Sequence, residues 1–211
     1  MEDRITARYS EAVLNQALKK YSIDKEDASE IGGFESSIFT VKRAGDEGIL
    51  RITHSIRRSP DQIRGELDWI DYLYKGGVGV ARPWRSDRGD WVELLDDGEG
   101  GSFLVSAFEK ARGTLHRGSD WPEALLWEYG NQIGKMHKLT KSYQPGNPAW
   151  MRPVWDDPVH HEVSQFIPAQ DHKIEDLYQE QIKKIKSLPV NEHAYGLIHQ
   201  DAHQGNFFVV A

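Results

Sequence analysis

Between Ile31 and Phe108 the apolar residues come in short runs, SSIFTVKR, GILRIT, WVELL and SFLVSAF, set apart by Gly and Asp. Runs of that length bounded by turn residues predict strands. One longer segment breaks the series. Ile63, Leu67, Ile70 and Leu73 or Tyr74 recur at the spacing of one helix face. Ser59, Pro60 and Gln62 give that helix a start, with Ser as N-cap, Pro in the first turn and Gln closing a capping box, and Gly76-Gly77 gives it an end. From Arg4 to Ile23, Ala12, Val13, Ala17 and Leu18 stand among charges, which predicts an amphipathic leading helix. Beyond Gly113 the period is helical again, with one stripe of Leu126, Tyr129, Ile133 and Met136 and another of Ile174, Leu177, Tyr178, Ile182 and Ile185. The pattern predicts an α+β protein in two parts, strand-rich over residues 1–108 and helical over 109–211, changing between Glu109 and Gly113.

Composition narrows the function classes. A chain of 211 residues buries a real core, and 28% charged residues with seven Trp describe a globular protein rather than a disordered one. The formal net charge of −7 argues against a nucleic-acid partner, because phosphate neutralisation needs clustered Lys and Arg and a basic knot such as Arg57-Arg58 is too short to supply them. Without Cys there is no disulfide and no thiolate metal site. No apolar run reaches the length of a membrane span, and MEDRITARYS lacks the apolar centre of a signal peptide. The expectation is a cytoplasmic protein that binds neither nucleic acid nor membrane.

The chemistry-bearing stretch is YGLIHQDAHQGNFFVVA, residues 195–211. His199, Asp201 and Asn206 stand there as H-x-D-x-x-x-x-N, the catalytic-loop spacing of enzymes that move the γ-phosphoryl of ATP to a hydroxyl. An Asp in a polar loop accepts the proton of the attacking hydroxyl, and an Asn five residues on offers a carbonyl oxygen to Mg²⁺ without a second negative charge beside the phosphates. His199 is then expected to brace the loop. A turn that spends Asp and Asn on local backbone bonds shares the same spacing.

Upstream, IGGFESSIFTVKR sets Gly33, Ser36 and Ser37 in a turn whose N–H groups and hydroxyls suit phosphate oxygens, although Gly-Gly-x-x-Ser is also a generic hairpin. Arg51 is a cation in the middle of the apolar strand GILRITHS and needs a partner. Glu66, on the same helix side as Ile63, Ile70 and Leu73, is the candidate. FLVSAFEKARG then runs from strand into a Gly-terminated connector, where backbone groups of Ser106 to Phe108 are candidates to pair with an adenine edge.

Taken in order, GGFESSIFTV, ILRIT, the Glu66 helix, FEKARG, IGKMHKL and YGLIHQDAHQGNFFV resemble the aminoglycoside phosphotransferase and choline kinase-like family, closest to uncharacterised or homoserine-kinase-type members. His203, two residues after Asp201, matches a second His common in that family's loop. The resemblance implies a protein-kinase-like two-lobe fold and ATP- and Mg²⁺-dependent transfer to a hydroxyl of a small metabolite or antibiotic. It implies Asp201 as base, with His199 beside it, and Asn206 as metal ligand. A non-catalytic nucleotide-binding module is the alternative; a protein kinase is disfavoured because nothing resembles an activation segment.

Two departures accompany the resemblance. Arg51 stands where many relatives have Lys, and a planar guanidinium is no point charge. The family's second metal-binding Asp follows the strand that NFFVV begins, whereas the sequence ends at Ala211. The expectation is therefore a C-terminally truncated, poorly active fragment that keeps nucleotide affinity, with Phe207 to Val210 as an unpaired apolar edge. On the acceptor side, NPAWMRPVWDDPVHHEVSQF gathers Asp156, Asp157, Glu162 and His160-His161; acidic residues suit a cationic acceptor, and a Trp-anchored solvated loop is the plainer account. The acceptor's identity, ATP against GTP, and the oligomeric state have no counterpart in a single motif.

Overall fold

The computed structural model describes residues 3–33, 35–118, 120–157 and 166–210. Its elements run in the order α1 (Asp3–Thr6), α2 (Glu11–Lys19), β1 (Ala28–Gly32), β2 (Ser37–Arg43), β3 (Asp46–His54), α3 (Pro60–Lys75), β4 (Pro83–Trp84), β5 (Glu93–Asp96), β6 (Ser102–Glu109), β7 (Thr114–Leu115), α4 (Glu123–Thr140), α5 (His172–Lys186) and β8 (Phe208–Val209). The chain divides into two compact units, Met1–Met151 with Ile198–Ala211, and Arg152–Leu197. No helix among the described residues is long and apolar enough to cross a membrane.

The first unit is built on an antiparallel sheet in the order β1-β2-β3-β6-β4, with β5 also paired to β6. Strand parity sorts its side chains. Leu50 and Ile52 of β3, Phe39 and Val41 of β2, and Phe103, Val105 and Ala107 of β6 all pack on one face, against Val13, Ala17, Leu18 and Tyr21 of the N-terminal layer. The intervening residues Leu104 and Phe108 meet Ile63 and Leu67 of α3 on the other face. Arg51, between Leu50 and Ile52, therefore projects toward α3. A third cluster, Leu73 with Val78 and Met136, joins the end of α3 to α4.

The α3 start follows its sequence signal. Ser59 Oγ accepts from Gln62 N–H at 3.2 Å and Gln62 Oε1 accepts from Ser59 N–H at 2.8 Å, closing the capping box, and Gly76 ends the helix. The leading helix differs from expectation: it is split into α1 and α2, with Ser10 as the N-cap of α2. In α4 the inward stripe is Leu125, Tyr129, Ile133 and Met136, while the expected Leu126 is 51% exposed. Phe208–Val209 is not left unpaired either, because Leu115 pairs with Phe208 and Thr114 with Val209.

In the second unit α5 forms where its period predicted, but no residue of it is buried, and Ile174, Leu177 and Ile185 are exposed. Asp156 lies 3.6 Å from Lys186 Nζ there. His160, His161 and Glu162 lie outside the described residues.

The β5–β6 hairpin carries the most heavily bonded carboxylate of the sheet. Asp97 accepts from Arg8 Nη1 at 2.6 Å, from His54 Nε2 at 3.1 Å, and from the N–H groups of Glu99 and Gly101 at 2.8 and 2.7 Å, with its side chain and that of His54 fully covered. Burial pushes its pKa up, but the donors outweigh it, and the carboxyl is held well below the ordinary carboxylate range. A group whose folded pKa is depressed stabilises the protein above its unfolded pKa, about 4, and loses that contribution as the pH falls toward the folded value. Urea unfolding measured from pH 6 to pH 3 is expected to show stability falling with acid, and more steeply than in Asp97→Asn. Equal slopes for the two proteins would remove Asp97 from this role.

Candidate active site

Arg51 lies opposite Ser106 across the β3–β6 ladder, and Ser106 Oγ accepts from Arg51 Nε at 3.2 Å. Arg51 Nη1 donates to Glu66 Oε1 at 2.7 Å. The pair is partly covered, with side chains 21% and 25% exposed, and the guanidinium carbon sits 5.1 Å from the centre of the Phe108 ring. The remaining nitrogen, Nη2, is buried and has no hydrogen-bond partner among the described residues. A buried guanidinium N–H facing no acceptor is costly, and the cost is relieved by a ligand that brings an anionic oxygen.

Glu66 is held in place from behind its helix. Asp68 Oδ2 accepts from Tyr143 O–H at 2.7 Å and from Gly146 N–H at 3.0 Å, tying α3 to the segment that follows α4. Gly65, next to Glu66, lets the Pro148–Trp150 turn come close: a Cβ there would stand 2.1 Å from the Trp150 carbonyl oxygen. None of these supports stood out in the sequence, since each joins residues far apart along the chain.

The β1–β2 turn places Gly33 at φ +146°, where a Cβ would meet the Ser36 carbonyl oxygen at 1.9 Å, so only Gly fits. Ser37 is buried on the core face with Phe39 and Val41, which takes its hydroxyl away from the open side of the turn and leaves Ser36 as the available hydroxyl. Glu35 reaches across to Arg57, with Nη1 at 3.1 Å. Ser106 and Phe108 are flanked by β3 on one side, while Pro83 and Trp84 of β4 pair with Phe108 and Ala107 on the other. Both residues also touch Arg51, through the Ser106 hydroxyl and the Phe108 ring.

Asp201 and Asn206 come together in a tight loop. Asn206 Nδ2 donates to Asp201 Oδ2 at 2.9 Å and to the Asp201 carbonyl at 2.8 Å. His203 N–H donates to the Asp201 carbonyl at 3.0 Å, and Asn206 N–H to the His203 carbonyl at 2.9 Å. Tyr129 O–H of α4 bonds the Ala202 carbonyl, and the Phe207 ring packs against Tyr129 and Trp121 with centroids 5.0 and 5.5 Å away. β8 follows at once and pairs with β7, only a short connector after the end of β6. His199 is exposed and makes no hydrogen bond among the described residues. Tyr129 braces the loop in its place, because its phenol reaches the loop backbone from a helix already packed in the unit. Its place on the predicted α4 stripe was the sequence signal available.

Among the described residues no three His, Asp or Glu side chains gather as a metal site. With its NH₂ turned to Asp201, the Asn206 amide presents its oxygen on the other side. One such ligand fits a Mg²⁺ that keeps water and takes phosphate oxygens for the rest of its shell.

The sequence profile of the phosphotransferase enzyme family matches residues 28–210. The chain belongs to that family. The chain is 38% identical over 199 residues to amicoumacin kinase of Bacillus subtilis (strain 168), an alignment covering 94% of this chain and 59% of that protein. It superposes with a TM-score of 0.93, at 36% identity, on a solved amicoumacin kinase in complex with AMP-PNP, Ca2+ and Ami, over 99% of this chain and 63% of that one. A microcompartment-associated aminopropanol kinase shares the fold at TM-score 0.71 and 20% identity, over 93% of this chain and 64% of that one. The chain thus spans about three fifths of the length of the amicoumacin kinases it matches. Its α+β architecture is that of the kinase-like fold.

The contact behind Glu66 is open to test. Gly65→Ala forces the Trp150 turn or α3 to shift, and is expected to destabilise the protein by about 1–3 kcal/mol, the range for overpacking. Urea unfolding measures it, and an unchanged midpoint would mean that the turn is not held there.

Proposed function

We propose that this protein is an ATP- and Mg²⁺-dependent kinase that transfers the γ-phosphoryl group to a hydroxyl of a small molecule. The observation that carries the reading is the buried Nη2 of Arg51, unpartnered among the described residues and fixed beside Glu66 in a family of phosphotransferases. Residues 1–108 act as the nucleotide lobe, and residues 109–211 carry the catalytic loop and begin the acceptor lobe. Arg51 binds phosphate oxygens through Nη2, held by Glu66 and Ser106 and by the Phe108 ring. Gly33 and Ser36 line the phosphate side of the β1–β2 turn. Asp201 accepts the proton of the acceptor hydroxyl as its oxygen bonds to the γ-phosphorus and the β–γ P–O bond breaks, leaving ADP. Asn206 would hold the Mg²⁺, which when bound neutralises the phosphate charge.

The identity to amicoumacin kinase makes an antibiotic of that type the first acceptor to test. The formal net charge of −7 supports a cytoplasmic enzyme of small molecules rather than a nucleic-acid-binding protein.

Two variants separate the roles. Arg51→Met is expected to weaken binding of a non-hydrolysable ATP analogue about 10- to 100-fold by calorimetry, the size of a charge-assisted hydrogen bond. Asp201→Asn in the native protein is expected to lower kcat about 10²- to 10⁴-fold with nucleotide affinity unchanged. Wild-type affinity in Arg51→Met or wild-type turnover in Asp201→Asn would strip that residue of its role. Nucleotide binding without transfer to any hydroxyl would favour the non-catalytic module.

A further inference from the structure

The imidazole of His203 faces two ways. Its Nδ1 accepts a hydrogen bond from Gly205 N–H at 3.0 Å, capping the Gln204–Asn206 turn. A ring nitrogen that accepts carries no proton, so the neutral ring bears its proton on Nε2. Nε2 lies 3.6 Å from Asp201 Oδ1, while the other oxygen of the same carboxylate, Oδ2, is taken by Asn206 Nδ2. The protein uses the same device elsewhere in a tighter form: His54 Nδ1 accepts from Ile56 N–H at 3.1 Å, and its Nε2 meets Asp97 Oδ2 at 3.1 Å. In both places a backbone N–H two residues on selects the tautomer, and the selected proton points at an aspartate.

We propose that His203 is a positioning residue for Asp201, an inference that rests on the kinase reading of this loop. A carboxylate on a free side chain has a broad, two-fold torsion about its last bond. Asp201 is 76% exposed, so packing does not choose between its two orientations. Two unlike donors do. Asn206 takes Oδ2, and the His203 Nε2–H sits on the side of Oδ1 at a separation that a small ring rotation closes to a hydrogen bond. The carboxylate is then presented to an incoming hydroxyl in one orientation, which favours the reacting geometry and leaves nucleotide binding alone.

The two functions of the ring can be separated by substitution. His203→Asn places an acceptor where Nδ1 was, keeping the turn cap, but has nothing at the Nε2 position. His203→Gln places an N–H near the Nε2 position and loses the cap. Positioning of Asp201 predicts that His203→Asn keeps the thermal midpoint and the nucleotide KM and loses about 5- to 10-fold in kcat, roughly one hydrogen bond, while His203→Gln keeps more of kcat than His203→Asn despite a lower midpoint. A ring that only caps the turn gives the reverse order. Transfer by the native protein with His203→Asn at wild-type kcat would overturn this inference and leave the kinase reading standing. Absence of transfer in the native protein would overturn both. A long-range ¹H–¹⁵N spectrum of this chain, assigned by His203→Asn, is expected to show the Nε2–H tautomer; the Nδ1–H tautomer would overturn the inference whatever the activity.

Discussion

A cation in the middle of an apolar strand imposes more on this structure than any other residue. Parity sends Arg51 to the α3 side of the sheet, because its neighbours Leu50 and Ile52 are fully buried on the opposite side. A guanidinium there needs anionic company. The helix that supplies it must start at a set point, since Glu66 reaches Arg51 only if it lies about two turns into α3 on the sheet-facing side. The Ser59–Gln62 capping box fixes that start, and Leu67, next to Glu66, anchors the helix in the core. Gly65 and Asp68 fix the far side. The ion pair is thus the point on which strand register, helix capping and the packing of the Trp150 turn converge. Its net energy is modest, because it is partly solvated. Its consequence is geometric: one nitrogen of the guanidinium is left buried without a hydrogen-bond partner among the described residues.

How much of this could be read in the chain depends on the range of the interactions. Strands β2, β3 and β6 and helix α3 follow from periodicity because each is bounded by its own turn or cap residues. The Arg51–Glu66 pairing follows from two such periods set face to face. Ser37 was open to the same reasoning, since alternation with Phe39 and Val41 sends it to the core. Ser10 is a helix-start residue, and that is where the leading helix breaks. Leu125 and Leu126 are adjacent leucines one helical step apart, so period alone does not choose which faces inward. Tyr129 holding the Ala202 carbonyl, Tyr143 and Gly146 holding Asp68, and β7 pairing with β8 join positions whose closeness is set only by the assembled fold. His199 is the instructive case. Its place in the motif suggested a brace, and the brace came from a helix far up the chain.

The two halves of the site are held by opposite means, and the difference follows from what each must meet. On the proposed reading Arg51 would face a phosphate oxygen, an anion that gains from a partly covered, preorganised donor, and its partners Glu66, Ser106 and Phe108 are arranged around it. On the same reading Asp201 would be reached by an acceptor hydroxyl, and burial would close that path. An accessible side chain cannot be fixed by packing. It can be fixed by short local bonds, and the loop around Asp201 consists of little else: an amide from Asn206, a cap on Gly205, and a chain of backbone bonds only a few residues long. Such a loop is stiff within itself but has no anchorage of its own. That is supplied by the Tyr129–Phe207–Trp121 aromatic group and the β7–β8 ladder, which grip it at its middle and its end and leave the carboxylate free to be approached.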